Sequence, residues 1–281
     1  LKAPTKLLRA VWRATRVFSA VNADAVFGLG GYVTGPGGLA ARLSGLPLYI
    51  HEQNAIAGFT NKALSKFATQ VLQAFPEAFE SCDKATWVGN PVRDEIATLA
   101  QPSARYAARR GPLRVLVMGG SLGAVALNEL VPAAFAELPL AQRPEIRHQA
   151  GRKHAEKAAA VYANLGVQAE ILPFIDDMAA VYDWADLVIC RSGALTVSEI
   201  AAAGVASILI PFPHAVDDHQ TANARFLSDI GAARLFQQRD LTPAAFAVTL
   251  SELLDRPTLQ SMAEKARSLA KPDATALVVS A

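Results

Sequence analysis

Short β-branched apolar runs alternate with longer amphipathic stretches along nearly the whole chain. The runs read as strands: DAVFG (24–28), PLYIHE (47–52), TQVLQA (69–74), LRVLVMG (113–119), EIRHQA (145–150), AEILPF (169–174), DLVICR (186–191), ASILIPF (206–212) and ARLFQ (233–237). Patterns of helical period separate most of them. Such alternation predicts parallel sheets covered on both faces, an α/β class. The segment 93–112 (RDEIATLAQPSARYAARRGP) is polar and has no strand pattern. A domain boundary is expected there, with a first domain over 1–103 and a second over 104–281. Each half carries a strand, a glycine-rich turn and a helix, as two Rossmann-like domains facing a cleft would.

Composition narrows this picture. The 281 residues suffice for two domains with separate cores, and 52% hydrophobic with 19% charged residues describes a globular chain. A formal charge of +2 gives no sign of a nucleic-acid partner. Cys82 and Cys190 lie far apart in no metal-ligand spacing and read as structural thiols of a reduced, cytosolic protein. No apolar run approaches the ~18–20 residues that cross a bilayer. Basic residues interrupt the N-terminal segment, so no signal-peptide pattern is present. The chain opens at Leu1 directly in a helical pattern, and a fragment is expected.

Candidate chemistry clusters at the ends of strands. In the second half, LRVLVMGGSLGAVALNEL runs from a strand through Gly119–Gly123 into a helix, whose free amides favour an anion. Ser121 adds a hydroxyl, although an ordinary tight turn with a serine cap would look the same. VICRSGALTVSEIAAAG (188–204) repeats the arrangement. Its helix begins near Ala194 or Leu195, with Thr196 in the first turn and Glu199 one turn deeper. Amides and a hydroxyl there can hold a diphosphate while the carboxylate accepts two ribose hydroxyls. The alternative is that Ser192 or Thr196 caps the helix and Glu199 completes a capping box. Ile175-Asp176-Asp177-Met178 can meet a base edge through its backbone, or Asp176 or Asp177 can cap a helix. Asp218, His219 and Gln220 form a further polar loop on the same sheet edge.

In the first half, GLGGYVTGPGG (28–38) is a glycine loop between strand and helix. It lacks the Gly-Lys-Ser/Thr close of a P-loop, and Val33 stands where a dinucleotide fingerprint needs its third glycine. His51-Glu52-Gln53-Asn54 ends a strand, and Glu52 or His51 can serve as a general base, or these side chains can satisfy buried loop backbone. WVGNPVRDEI (87–96) leaves a strand at Gly89 and presents Arg93, which can reach a phosphate or pair with Asp94 or Glu95. The first helix places Lys2, Lys6, Arg9, Arg13 and Arg16 on one stripe, with Leu7, Leu8, Val11 and Phe18 opposite and Trp12 at the boundary. That suits an anionic membrane surface, or a helix packing its apolar side on a sheet.

The ordered set GLGGYVTGPGGLAA, HEQN, GNPVR, GGSLGA, FIDDM, CRSGALTVSEIAAAG and DDHQTANA spans essentially the whole chain. It resembles the MurG family, bacterial N-acetylglucosaminyltransferases that convert lipid I to lipid II in peptidoglycan synthesis, on which cell shape and division depend. The resemblance implies the GT-B fold, two Rossmann-like domains with UDP-GlcNAc held mainly by the second. It implies donor contacts from Asn54, Arg93 and Ser121, from Ile175 to uracil, from Ala194, Leu195, Thr196, Val197 and Ser198 around the diphosphate, and from Glu199 to the ribose. Gln220, with His219, would meet the GlcNAc, although the spacing around Asp217–Gln220 is one residue longer than the family form. Gly30, Gly31, Tyr32, Gly35, Gly37 and Gly38 would face the acceptor diphosphate.

The implied reaction inverts the anomeric centre with neither metal nor cofactor. Glu52 is the candidate base within this chain, and a histidine of the family's first glycine loop is the other candidate. The polyprenyl-linked acceptor implies a peripheral protein on the cytoplasmic face of the inner membrane, touching anionic lipid through Lys6, Leu7, Leu8, Arg9, Val11, Trp12 and Arg13. The family's first strand and first glycine loop do not occur in this sequence, so an N-terminally truncated chain with an incomplete first domain is expected. Three alternatives share the fold: a UDP-GlcNAc-binding fragment without turnover, a UDP-sugar 2-epimerase, and a lipid–sugar transferase acting on diacylglycerol.

Overall fold

The computed structural model describes residues 2–79, 82–120, 124–215 and 218–281. The chain divides into two compact units, Leu1–Pro91 with Asp273–Ala281, and Val92–Pro272. The first unit contains four parallel strands in sequence order, β1 (Val26–Gly28), β2 (Leu48–Glu52), β3 (Gln70–Gln73) and β4 (Ala85–Trp87). Its helices are α1 (Lys2–Ala20), α2 (Gly31–Leu43) and α3 (Phe59–Ser65). Leu48, Ile50, Leu64 and Val71 form the centre of its core.

The second unit is a six-stranded parallel sheet built from β5 (Arg114–Met118), β6 (Glu145–Gln149), β7 (Glu170–Leu172), β8 (Leu187–Cys190), β9 (Ala206–Leu209) and β10 (Ala233–Leu235). The helices around it are α4 (Asp94–Ala97), α5 (Pro102–Ala108), α6 (Val125–Glu137), α7 (Ala155–Asn164), α8 (Met178–Trp184), α9 (Ala194–Ala203), α10 (His219–Ser228), α11 (Pro243–Leu253) and α12 (Arg256–Ser268). A last helix, α13 (Ala274–Val279), belongs to the first unit. All nine strands expected from the sequence are present with trimmed ends, and β4 is the strand left just before GNPVR. Continuous apolar runs such as Val115–Met118 and Leu187–Cys190 are the mark of strands covered on both faces, and these central runs are buried.

The strand order β10-β9-β8-β5-β6-β7 has a physical consequence. The chain builds outward from β5 to β7 and then returns to lay β8 against the other side of β5. Between β5 and β8 the direction of winding reverses, and Met118 pairs with Cys190 at the carboxyl ends. Loops leaving a reversal point diverge above and below the sheet, which opens a crevice for a ligand.

The polar segment 93–112 lies in the second unit, so the division falls ahead of the expected 103/104 boundary. The reason is in its buried side chains. Ile96 and Tyr106 are buried, and the Tyr106 hydroxyl donates to the Asp186 carbonyl at 2.7 Å. Arg109 pairs with the fully buried Asp186 carboxylate, which also accepts the Arg114 amide at 2.9 Å. Arg105 donates to the Ala203 and Gly204 carbonyls at the end of α9. Arg267 from α12 reaches the Ala202 carbonyl there and the Ala97 carbonyl at 3.0 Å. Cations on the carbonyl end of a helix satisfy acceptors that have no intrahelical donor and oppose the helix dipole.

Beneath β6 runs a buried polar chain. Asn128 Nδ2 donates to the Ala150 carbonyl, so its Oδ1 is turned to accept from His148 Nε2 at 3.0 Å. His148 Nδ1 then accepts the Tyr162 hydroxyl at 2.9 Å. Every member is satisfied with the imidazole neutral, and burial lowers the His148 pKa to about 4. An unfolded chain protonates this histidine near pH 6.5, before the folded protein does. Its contribution is therefore complete above that value and is lost as pH falls toward 4. Circular-dichroism melts should show a loss on the order of 3 kcal/mol across this window. His148→Gln should flatten that dependence, with His51 supplying part of what remains.

Candidate functional site

In the second unit, α9 opens at the reversal point with its amides uncapped. Gly193 is the N-cap and makes no side-chain cap hydrogen bond, which excludes the capping-box reading of Ser192, Thr196 and Glu199. Asn223 from α10 holds the turn in place, donating to the Ser192 carbonyl at 3.2 Å. Ala194, Leu195 and Thr196 form the first turn. Val197 is fully buried, which withdraws it from contact with a ligand in this arrangement. The Ser198 hydroxyl donates back to the Ala194 carbonyl at 3.0 Å.

Glu199 is turned out of the helix between two donors. Arg93 Nη2 reaches Oε1 at 3.1 Å, and the Tyr182 hydroxyl from α8 reaches Oε2 at 3.1 Å. Arg93 thus pairs with Glu199, not with Asp94 or Glu95. Arg93 also lines a cleft of about 420 Å³ with Ile96, Asp176 and Met178. Ile175 is buried beside the start of α8, and Asp177 accepts the Ala180 amide at 2.9 Å as that helix's cap. The helix-cap reading of Asp177 therefore holds.

The remaining donor candidates are more dispersed. Gln220 lies in the first turn of α10, where its Oε1 accepts the Phe212 amide at 2.9 Å. His219 precedes it in the same turn. Ser121 and Asp217 lie outside the described residues. Arg191, at the end of β8, braces the neighbouring loop through the Ile210 and Pro211 carbonyls and Gln238.

In the first unit, the end of β2 is a closed polar cluster. Glu52 is 3% exposed and accepts four hydrogen bonds. The Asn54 amide and Nδ2 reach Oε1 at 3.1 and 3.2 Å, while the Gly58 amide and Asn61 Nδ2 reach Oε2 at 3.0 and 2.9 Å. Glu52, the candidate general base, is therefore a buried carboxylate whose acceptor positions are taken by loop donors, and it could meet a substrate hydroxyl only if one of them let go. His51 is equally committed. Its Nε2 donates to the Gly89 carbonyl at 2.9 Å, Nδ1 faces Gln53 Nε2 at 3.3 Å, and burial lowers its pKa against the opposing pull of that carbonyl and of Glu52. Asn54 is placed in this cluster, and Asn90 Nδ2 ties in the next loop through the Gln53 carbonyl at 3.0 Å.

The glycine stretch 28–38 is also corrected, from loop to helix. Gly30 and Gly31 have φ of 82° and 74°, a turn that other residues rarely adopt, and α2 runs from Gly31 onward with Pro36 inside it. Amides beyond the first turn belong to the helix ladder, so Gly35, Gly37 and Gly38 cannot offer theirs to an acceptor diphosphate. Gly38 serves packing instead, since a Cβ there would lie 2.7 Å from Leu64. Gly30, Gly31 and Tyr32 stay at the open end of the helix, with Tyr32 89% exposed.

On α1, Lys6, Arg9 and Arg13 are exposed, together with Leu7, Leu8 and Trp12. Val11 is 6% exposed and buried within the first unit, where α1 packs on α2, so it is not available for membrane contact. No helix among the described residues is long and apolar enough to cross a membrane.

Sequence reading missed Tyr182, Asn61 and Asn223. A tyrosine or asparagine on an otherwise apolar helix face signals a buried polar group in need of a partner, but not which partner.

Comparison with known proteins agrees with this layout. Residues 1–73 match the glycosyltransferase family 28 N-terminal domain, and residues 114–278 match the family 28 C-terminal domain. A protein of Pseudomonas paraeruginosa named UDP-N-acetylglucosamine--N-acetylmuramyl-(pentapeptide) pyrophosphoryl-undecaprenol N-acetylglucosamine transferase is 56% identical, across 100% of this chain and 78% of its own length. The crystal structure of Acinetobacter baumannii MurG superposes with a TM-score of 0.90 at 48% identity, covering 100% of this chain and 79% of that one. A UDP-GlcNAc 2-epimerase from Neisseria meningitidis, 11% identical over 100% of this chain and 81% of its own, shares the fold alone with a TM-score of 0.65. With two parallel α/β units, both family 28 domains and these relatives, the chain has the GT-B fold and belongs to the MurG family of glycosyltransferase family 28.

Proposed function

We propose that this chain transfers N-acetylglucosamine from UDP-GlcNAc to the C4 hydroxyl of the MurNAc in lipid I, forming lipid II with inversion at the anomeric carbon. The observation that carries this reading is Glu199, set one turn inside the uncapped N-terminus of α9 and turned toward Arg93. The donor diphosphate lies at the amides of Ala194, Leu195 and Thr196. Its ribose hydroxyls meet Glu199, and its uracil meets the backbone at Ile175. As the glycosidic bond breaks, negative charge grows on the diphosphate. Oriented amides at a helix N-terminus stabilise that charge without reorganising, and the exposed Arg93 guanidinium moves in to add to them. The acceptor hydroxyl attacks C1 from the face opposite UDP, UDP leaves with the electron pair of the broken C1–O bond, the hydroxyl proton passes to a general base or to solvent water, and the reading needs no cofactor. Names borne by relatives more than half identical support the same substrates.

The acceptor is bound to a polyprenyl lipid, and α1 carries exposed cations beside exposed Leu7, Leu8 and Trp12. Such a helix lies along an anionic interface, its apolar side chains entering the headgroup boundary. In this reading the protein works peripherally on the cytoplasmic face of the inner membrane.

Three measurements test these roles. In an assay with radiolabelled UDP-GlcNAc and a soluble lipid I analogue, Glu199→Ala should raise KM for the donor about a hundredfold, since two hydrogen bonds to a charged group are lost. Consumption of UDP-GlcNAc without acceptor would favour an epimerase instead. Glu52→Ala should destabilise the first unit by about 3 kcal/mol, because its donors are left buried and unpaired. A variant that melts like the wild type yet has lost transfer would restore Glu52 as the base. Reversing Lys6, Arg9 and Arg13 to glutamate should weaken sedimentation with anionic vesicles by about a hundredfold or more, and unchanged binding would remove α1 from the interface.

A further inference from the structure

A glutamate that binds two vicinal hydroxyls has a demanding geometry. A carboxylate offers about four lone-pair positions, two on each oxygen. In this site each oxygen already accepts one hydrogen bond, Oε1 from Arg93 and Oε2 from Tyr182, both at 3.1 Å. One position therefore remains on each oxygen, and the two together match the two hydroxyls of a ribose. Which way they point depends on how the carboxylate plane is rotated.

The two donors differ in how firmly they can set that rotation. The Arg93 side chain is 51% exposed and sits at the start of the four-residue helix α4. Water competes for its guanidinium, and its long stem is free to follow a phosphate. Tyr182 is fully buried in α8, among the largest enclosed side chains of the protein. Its ring cannot turn without repacking, and its only freedom is the rotation of the hydroxyl hydrogen. Burial, reinforced by the adjacent Glu199 charge, pushes that hydroxyl well above the ordinary tyrosine range, so it remains a donor at any working pH. Phenylalanine would fill the space of the buried ring, so packing by itself does not call for the hydroxyl. The Glu199 carboxylate is the acceptor it meets.

We propose that Tyr182 is the positioning residue that aims the Glu199 carboxylate at the donor's ribose, and thereby makes the site selective for a ribonucleotide over a deoxyribonucleotide. This rests on the reading of Glu199 as the ribose acceptor. Tyr182 touches neither substrate. It acts by holding Oε2 so that the second lone pair of each oxygen stays available when Arg93 moves toward the diphosphate.

The test is calorimetric titration of the full chain and of Tyr182→Phe with UDP and with 2′,3′-dideoxy-UDP. Wild type is expected to bind UDP at least about tenfold more tightly than the dideoxy nucleotide. Tyr182→Phe is expected to weaken UDP about tenfold and leave dideoxy-UDP within about twofold, so that the preference collapses. In turnover the same variant should raise KM for UDP-GlcNAc more than it lowers kcat. Adding Tyr182→Phe to Glu199→Ala should cost no further UDP affinity, because the residue acts only through that carboxylate. A thermal melt confirms that each variant is folded. Equal weakening of both nucleotides, or no weakening of either, overturns the inference while leaving the Glu199 reading in place. A wild-type protein that binds the two nucleotides equally overturns the Glu199 reading, and this inference with it.

Discussion

The second unit depends on how α9 is held at its carbonyl end. Arg105 and Arg267 converge on the Ala202, Ala203 and Gly204 carbonyls from two other helices, and Arg267 continues to Ala97 and Leu99. That anchorage makes the opposite end available. A helix whose C-terminal acceptors are satisfied by protein cations can leave its N-terminal donors to an anion without losing its place. The buried residues between, Val197 and Ile200 to Ala203, belong to a helix packed among α4, α8, α10 and α12. Helix α9 thus works as a rigid strut with one end committed to the fold and the other to the ligand.

The first unit spends its polar residues differently. Its loops after β2 and β4 are organised around Glu52, His51 and Asn61, which are enclosed and turned inward. Two loops are tied together by this cluster, and the turn at Gly30 rests against Asn61. A residue type associated with proton transfer is used here as a scaffold, because burial and four donors leave the carboxylate no solvent-facing side. The same residue at the same strand end would be a plausible base if Gly58 and Asn61 lay elsewhere. Identity and position along a strand therefore underdetermine a carboxylate's role, and its donors decide it.

Polar residues on helices show the complementary point. Asp177 follows the end of β7 and Glu199 lies inside the helix that follows β8, and either was compatible with capping a helix or meeting a ligand. Asp177 caps α8, whereas Glu199 leaves the cap position empty and faces Arg93 and Tyr182. The difference is where each residue falls relative to its helix start. Asp177 is itself the N-cap, and Glu199 is six residues past Gly193. The Arg93–Glu199 pair spans over a hundred positions of chain, and Tyr182 joins it from a third helix. No local pattern carries that convergence.

What the chain's own pattern determined was the alternation of parallel strands and helices, the glycine turns at strand ends and the exposed cations of α1. These follow from periodicity, from backbone freedom and from charge, all properties of neighbouring residues. Tertiary structure alone decided the reversal of winding between β5 and β8, which places Gly119 and Gly193 at one crevice, and the membership of α4 in the second unit, where Ile96 is buried and Arg267 meets the Ala97 carbonyl. It also decided that Gly31–Gly38 is helix and not an open loop, and that Glu52 is occupied while Glu199 is presented. Each of these is a matter of which distant groups fill a lone pair or meet a donor. Burial and hydrogen-bond satisfaction are set by the whole packed arrangement and cannot be assigned to a residue before its partners have been brought to it.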